Sequence, residues 1–208
     1  MSPPARTTIS AQAGPQTEFL QTAADMCIYG GAAGGGKTVG LILEPLRYVG
    51  RVPGFTAVFF RRTTPQITNP GGLWDESLNF YPRLGGTPYL RAQEWRWPRG
   101  GKIKFSHLQL ATSVYDWQGA QITLICFDEL THFTAHQFFY LLSRNRSTCG
   151  VRPYIRATCN PDADSGSPSS WHGGSTPRPD LRSPNGPAFC AITSASRERS
   201  FGLISPKT

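Results

Sequence analysis

Charge is scarce in this chain. Asp, Glu, Lys and Arg make up 16% of its 208 residues, against 38% hydrophobic residues. That balance argues against a largely disordered polypeptide and for a globular domain with a core of its own. None of the five cysteines (Cys27, Cys126, Cys149, Cys159 and Cys190) forms a C-x-x-C pair, so the spacing of a zinc site is missing. His107, His132, His136 and His172 show no metal-ligand spacing either, and they read as structural or exposed. No apolar run approaches the roughly 20 residues that cross a bilayer, so no membrane partner is expected. An odd cysteine count without a signal peptide predicts a reducing cytoplasm. No internal repeat is present.

What is plentiful is Gly (22) and Pro (18), which implies much loop. Positive charge is in excess, 21 Lys and Arg against 13 Asp and Glu, for a net +8. Such a balance favours a polyanion, most often DNA or RNA, although it also serves plain solubility. Residues 1–15 are polar and Pro-containing, and read as a mobile tail.

Four short apolar runs read as buried strands: Met26–Gly30, residues 56–60, residues 122–127 and Tyr154–Cys159. Residues 37–49 carry apolar side chains at helical spacing, with Pro45 placed to kink or shorten the helix. Residues 73–81 and 134–142 are also helix-like, the latter with Thr131 or Thr134 as its N-cap. Residues 95–97 and 102–105 flank a Pro-Arg-Gly-Gly turn and predict a hairpin. Continuous apolar runs separated by helices predict an α/β fold, a mainly parallel sheet with helices on both faces.

Gly31-Ala32-Ala33-Gly34-Gly35-Gly36-Lys37-Thr38 satisfies every fixed position of G-x-x-x-x-G-K-[ST] between a strand and a helix. Glycines let backbone N–H groups turn inward around phosphate oxygens. The helix N-terminus that follows adds a partial positive charge. Lys37 is then expected on the β- and γ-phosphates, and Thr38 on Mg²⁺. Leu124-Ile125-Cys126-Phe127-Asp128-Glu129 is a buried strand closing on two acids. Asp128 suits the Mg²⁺ shell, and Glu129 suits orienting or activating the attacking water. Asn160, at the tip of the next strand, either senses the γ-phosphate or closes an Asn-Pro turn. Arg61 and Arg62 end a strand near the same edge. One of them can contact phosphate or act in a neighbouring subunit as an arginine finger, or both are surface charge. Gln16 either reads the adenine edge or is a solvated tail residue. In residues 91–99 the Trp side chains are expected to pack inward, the alternative being contact with a DNA backbone.

Together these residues resemble the ATPase domain of the large terminase subunit of tailed bacteriophages. The resemblance runs from about Gln16 to Ser165. It rests on Tyr29 through Thr38, Phe60-Arg61-Arg62-Thr63-Thr64-Pro65, Gly71-Gly72-Leu73-Trp74-Asp75 and Tyr115-Asp116-Trp117-Gln118-Gly119. Phe127-Asp128-Glu129-Leu130-Thr131-His132-Phe133, Leu141-Leu142-Ser143-Arg144 and Thr158-Cys159-Asn160-Pro161 complete it. It implies a P-loop NTPase core of the additional-strand (ASCE) class, with ATP and Mg²⁺ as cofactors, Gln16 at adenine and Asn160 in the coupling motif. It implies double-stranded DNA, a small terminase subunit and a portal or procapsid as partners, a homo-oligomeric ring, and the host bacterial cytoplasm as location. It also implies a second, nuclease domain, which this chain is expected to lack, making it a truncated product. Some relatives carry an arginine where this chain has Gln118-Gly119, which leaves the identity of the finger open. Residues 166–208 are nearly half Gly, Ser and Pro, and read as a disordered tail or as a frame-shifted replacement for an aromatic amphipathic helix. The other functions considered are a nucleotide-binding prophage remnant without turnover and another nucleic-acid-dependent P-loop ATPase.

Overall fold

The computed structural model describes residues 9–31 and 36–160, together with the backbone of residues 189–192 and 202–203. Residues 1–8, residues 32–35 of the glycine-rich loop and most of the span 161–208 lie outside the described residues. The expectations for Ala32, Ala33, Gly34 and Gly35, and for a frame-shifted tail, therefore fall there.

The four apolar runs become β1 (Met26–Gly30), β2 (Thr56–Arg61), β6 (Leu124–Phe127) and β7 (Tyr154–Cys159). The predicted hairpin supplies β4 (Glu94–Arg96) and β5 (Lys102–His107), preceded by a short β3 (Thr87–Tyr89). With β8 (Phe189–Ile192) and β9 (Gly202–Leu203) they form one sheet, ordered β3-β4-β5-β2-β6-β7-β1-β8-β9. The five central strands, β5 to β1, run parallel. The two strands at each edge are antiparallel additions.

Burial on both faces explains why the central strands read as unbroken apolar runs rather than as alternations. Along β2, Ala57 and Phe59 enter one core while Val58 and Phe60 enter the other. The first core also takes Phe19 from α1 (Pro15–Gln21), Leu41 and Ile42 from α2 (Lys37–Leu43) and Leu73 from α4 (Leu73–Leu78), which follows a one-turn α3 (Thr64–Thr68). The second is closed by Phe138 and Leu141 of α5 (Ala135–Leu142) and by Val114 of a 3-10 segment, Ala111–Trp117. Each fully buried large side chain contributes about 1.5–3 kcal/mol, and among the described residues eight aromatic side chains are essentially inaccessible.

Pro45 shortens the predicted helix: α2 ends at Leu43 and the chain continues as a 3-10 turn, Glu44–Arg47. Of the two candidate caps for α5, Thr134 takes the position. Its Oγ1 accepts from the Gln137 amide at 3.2 Å, and Gln137 Oε1 accepts from the Thr134 amide at 3.0 Å, a reciprocal capping box. In the hairpin, Trp95 and Trp97 are buried and pack inward as expected. A buried pair, Arg156 on β7 and Glu44 after α2, lies at 3.6 Å. Arg156 also donates to the carbonyls of Thr22, Ala24 and Ile155. It thereby ties the loop before β1, the end of α2 and β7 into one unit beneath the site.

Candidate active site

The register of three neighbouring strands assembles the chemistry. Phe60 pairs with Phe127, and Phe127 pairs with Ala157. One residue further along each strand lie Arg61, Asp128 and Thr158, side by side at the carboxyl edge of the parallel sheet. That is where ligands bind in open α/β sheets. β7 stands between β1, which leads into the glycine-rich loop, and β6, which ends in the acids. Thr158 and Asn160 are thus interposed between the loop and Asp128–Glu129.

Asp128 is 1% exposed. Its Oδ1 accepts from Thr158 Oγ1 at 2.6 Å, and its Oδ2 lies 2.8 Å from Arg61 Nε. Oδ2 and that Nε are both buried without a well-aligned hydrogen bond, so their contact is one of charge with charge. Burial pushes the Asp128 carboxyl above its ordinary pKa, while Arg61 and Thr158 pull it back. Glu129 adopts φ +60°, a left-handed conformation that non-glycine residues seldom take. Its amide donates to Thr158 Oγ1 at 3.1 Å. This turn splays the two adjacent acids, so that Asp128 is buried while Glu129 faces the cleft. Glu129 Oε2 lies 2.6 Å from Arg61 Nη1 and 3.1 Å from His132 Nδ1, and Oε1 accepts from Asn160 Nδ2 at 3.3 Å.

Across the cleft, α2 begins at Lys37 immediately after Gly36, whose φ of +66° is a left-handed conformation that favours glycine. A Cβ at Gly36 would also stand 3.0 Å from Gln16 Nε2. Lys37 Nζ donates to Gly31 O at 2.7 Å, bridging the two ends of the loop. Burial lowers the pKa of Lys37, while Cys159, Asp128 and Glu129 raise it. Gln16 is buried; its Nε2 donates to Gly36 O at 2.9 Å and its Oε1 accepts from the Gln12 amide at 2.7 Å. The side chain therefore braces the loop from below rather than lying in a solvated tail. A cleft of about 380 Å³ is lined by Lys37, Thr38, Glu76, Asp128, Glu129, Thr158 and Asn160, among others.

The two arginines part company. Arg61 enters the site. Arg62 turns to the other side, where Nη1 donates to Leu108 O at 3.0 Å and to Gln137 Oε1 at 3.3 Å. Sequence reasoning missed three participants. Thr158 could have been found from strand alternation, since it sits two residues before Asn160 on β7. His132 stands three residues after Glu129 in a 3-10 turn, Leu130–His132. Glu76 carries no local signal. Among the described residues no cluster of His, Cys, Asp and Glu resembles a self-contained metal site. The donor set instead suits a hard cation shared with a ligand. Asp128 Oδ2 is buried, is held by charge with Arg61 rather than by an aligned hydrogen bond, and lines the same cleft as Thr38, which fits Mg²⁺ held by few protein groups.

Fold and site geometry define a P-loop NTPase core of the additional-strand class. The family model described as "Terminase large subunit, T4likevirus-type, N-terminal" matches residues 28–174, and the chain belongs to this family. Among solved structures, the large terminase of a thermophilic bacteriophage, in its second crystal form, superposes with a TM-score of 0.58 at 14% identity, covering 76% of this chain and 40% of that one. The large terminase ATPase domain of Thermus phage P74-26 gives 0.52 at 12% identity, covering 71% and 64%. The bacteriophage HK97 large terminase gives 0.52 at 17% identity, covering 72% and 33%. The chain thus spans between one third and two thirds of the length of these structures, and the likeness is one of fold. No curated protein sequence matches it.

Proposed function

We propose that this chain is the ATP-hydrolysing motor domain of a phage terminase large subunit, driving double-stranded DNA into a procapsid. The observation that carries the reading is the convergence of Lys37, Thr38, Asp128, Glu129, Thr158 and Asn160 on one cleft. Loop amides and Lys37 bind the β- and γ-phosphates. Gln16, hydrogen-bonded to Gly36 O, sets the height of the loop, and contact with the adenine edge is the further role this reading gives it. Thr38 and Asp128 would hold Mg²⁺, which supplies charge neutralisation on the phosphates when bound. Glu129, held out of the strand line by its left-handed turn, orients the attacking water. Asn160 touches Glu129 and sits where a γ-phosphate signal can reach it. Arg61 is the cis arginine of the site, and Arg62 is structural. The +8 net charge suits a DNA partner. A small terminase subunit, a portal and a ring of copies in the host cytoplasm complete the assembly this reading requires. Among the described residues no helix is long and apolar enough to cross a membrane.

A second reading, nucleotide binding without turnover, is favoured by one observation. Arg61 engages both acids at once, which leaves Glu129 tied to a cation rather than to water. ATP turnover by the chain, with and without double-stranded DNA, beside Lys37→Ala and Glu129→Gln, separates the two. Turnover lost in both variants supports the motor. ATP binding that needs Lys37, without turnover in any condition, supports the second reading. Absence of Lys37-dependent ATP binding defeats both.

A further inference from the structure

His132 lies within the stretch 127–133 without a part of its own in the nucleotide chemistry, yet its ring lies against the residue that orients water. The cause is local geometry. After Glu129 the chain winds into the 3-10 turn Leu130–His132, and the His132 amide donates to Glu129 O at 3.0 Å. In a 3-10 turn, residues three apart lie on the same side, so the imidazole of His132 comes beside the Glu129 carboxylate. His132 Nδ1 lies 3.1 Å from Glu129 Oε2, the oxygen that Arg61 Nη1 also approaches at 2.6 Å. The His132 side chain is 42% exposed and that of Glu129 is 23% exposed, so the pair sits at the cleft mouth rather than in the core.

The two partners of Oε2 are not equivalent. Arg61 is shared with Asp128, and a cation arriving at Asp128 competes with its guanidinium. Among the described residues His132 pairs with Glu129 alone of the two site acids, and the turn's backbone hydrogen bond links the two residues. We propose that His132 is a positioning residue for Glu129. Its Nδ1–H holds Oε2 once Arg61 is drawn away, keeping the carboxylate aimed at the cleft while Asn160 holds Oε1. The inference rests on the hydrolytic reading above, but the contact on which it depends can be tested without turnover.

Two measurements decide it. The first is ¹⁵N NMR of imidazole-labelled full chain at a pH where histidine is neutral, with the His132 signal assigned by its loss in His132→Asn. The Nδ1–H tautomer is expected in the wild type, reverting toward Nε2–H in Glu129→Ala. The second is steady-state ATP turnover. His132→Ala is expected to lower kcat about tenfold or more, the worth of one hydrogen bond to a charged group, with KM for ATP unchanged. His132→Asn, which puts an amide N–H where Nδ1 stands, should recover most of that loss. His132→Gln, which puts it where Nε2 stands, should not. A wild-type tautomer unaffected by Glu129→Ala overturns the proposal, as does full kcat in His132→Ala or equal behaviour of the Asn and Gln variants. If the wild type turns nothing over, the hydrolytic reading fails and the tautomer result alone decides whether His132 holds Glu129.

Discussion

Removing the Arg61 guanidinium should destabilise the protein because of what it leaves behind. Asp128 Oδ2 is buried, has Arg61 as its charge partner and makes no well-aligned hydrogen bond. Breaking a buried ion pair from one side costs about 3–5 kcal/mol. The Arg61 side chain is 15% exposed, which places Arg61→Ala at the lower end, about 3 kcal/mol, or roughly 9 °C in Tm for a domain of this size. The effect should depend on pH in a defined sense. The folded-state pKa of Asp128 is raised, chiefly by burial. Ionised Asp128 therefore costs stability at neutral pH, a cost that vanishes as the pH falls through that raised value. Arg61 pulls the pKa down, so its removal raises it further. The deficit of Arg61→Ala should be largest near neutrality and should shrink on acidification toward the ordinary carboxylate range near about 4. Urea denaturation across pH, with Asp128→Asn and the double variant closing a cycle, measures this. Mg²⁺ should restore part of the loss in Arg61→Ala and little of it in the double variant. Equal stability of Arg61→Ala and wild type at pH 7, or an undiminished loss in the Asp128→Asn background, refutes the reasoning.

Gln16→Ala removes the donor to Gly36 O and the acceptor for Gln12 N; calorimetry should show ATP affinity weakened about tenfold, and unchanged affinity would mean the loop is braced elsewhere. Thr158→Val keeps the shape but strands Asp128 Oδ1 and the Glu129 amide; kcat should fall about tenfold to a hundredfold with ATP binding retained, and Thr158→Ser should recover it. Gly101→Ala would place a Cβ 2.0 Å from the carbonyl oxygen of Val49, with backbone on both sides of the clash. It should cost at least about 3 kcal/mol in urea denaturation, whereas Gly54→Ala, a positive-φ site with open space around it, should cost about 1 kcal/mol.

The central sheet was legible because a strand buried on both faces needs unbroken apolar sequence, and few other structures do. The edges were not. β3 (Thr87–Tyr89) is exposed at all three residues, so no burial pattern marks it, and its pairing with β4 is visible only in three dimensions. The apolar run over residues 122–127 starts two residues before its strand. Ile122 and Thr123 offer their carbonyls to the Asn145 side chain, which also donates to Tyr154 O. Only from Leu124 does the ladder with β2 and β7 take over. An Asn 23 residues beyond Ile122 cannot be anticipated by a local reading. Pro45 marks the end of regular helix in sequence as in structure, because its missing N–H and its ring act locally.

At the site the division is sharper. Residues whose chemistry is written into adjacent positions, such as Gly36-Lys37-Thr38 or Asp128-Glu129, could be named from the chain alone. Residues whose role depends on strand order could not be told apart. Arg61 and Arg62 are identical in type and adjacent, and nothing local prefers one. The choice is made by the register Phe60 to Phe127, which sets Arg61 beside Asp128 and sends Arg62 to Leu108 and Gln137. Thr158 is selected by the next register in the same row, Phe127 to Ala157. If β2, β6 and β7 had been stacked in another order, the same sequence motifs would survive but no arginine would meet the two acids. The glycine-rich loop and the acidic pair thus mark a nucleotide site in sequence, while the three-strand row of Arg61, Asp128 and Thr158 determines how that site is held before nucleotide arrives.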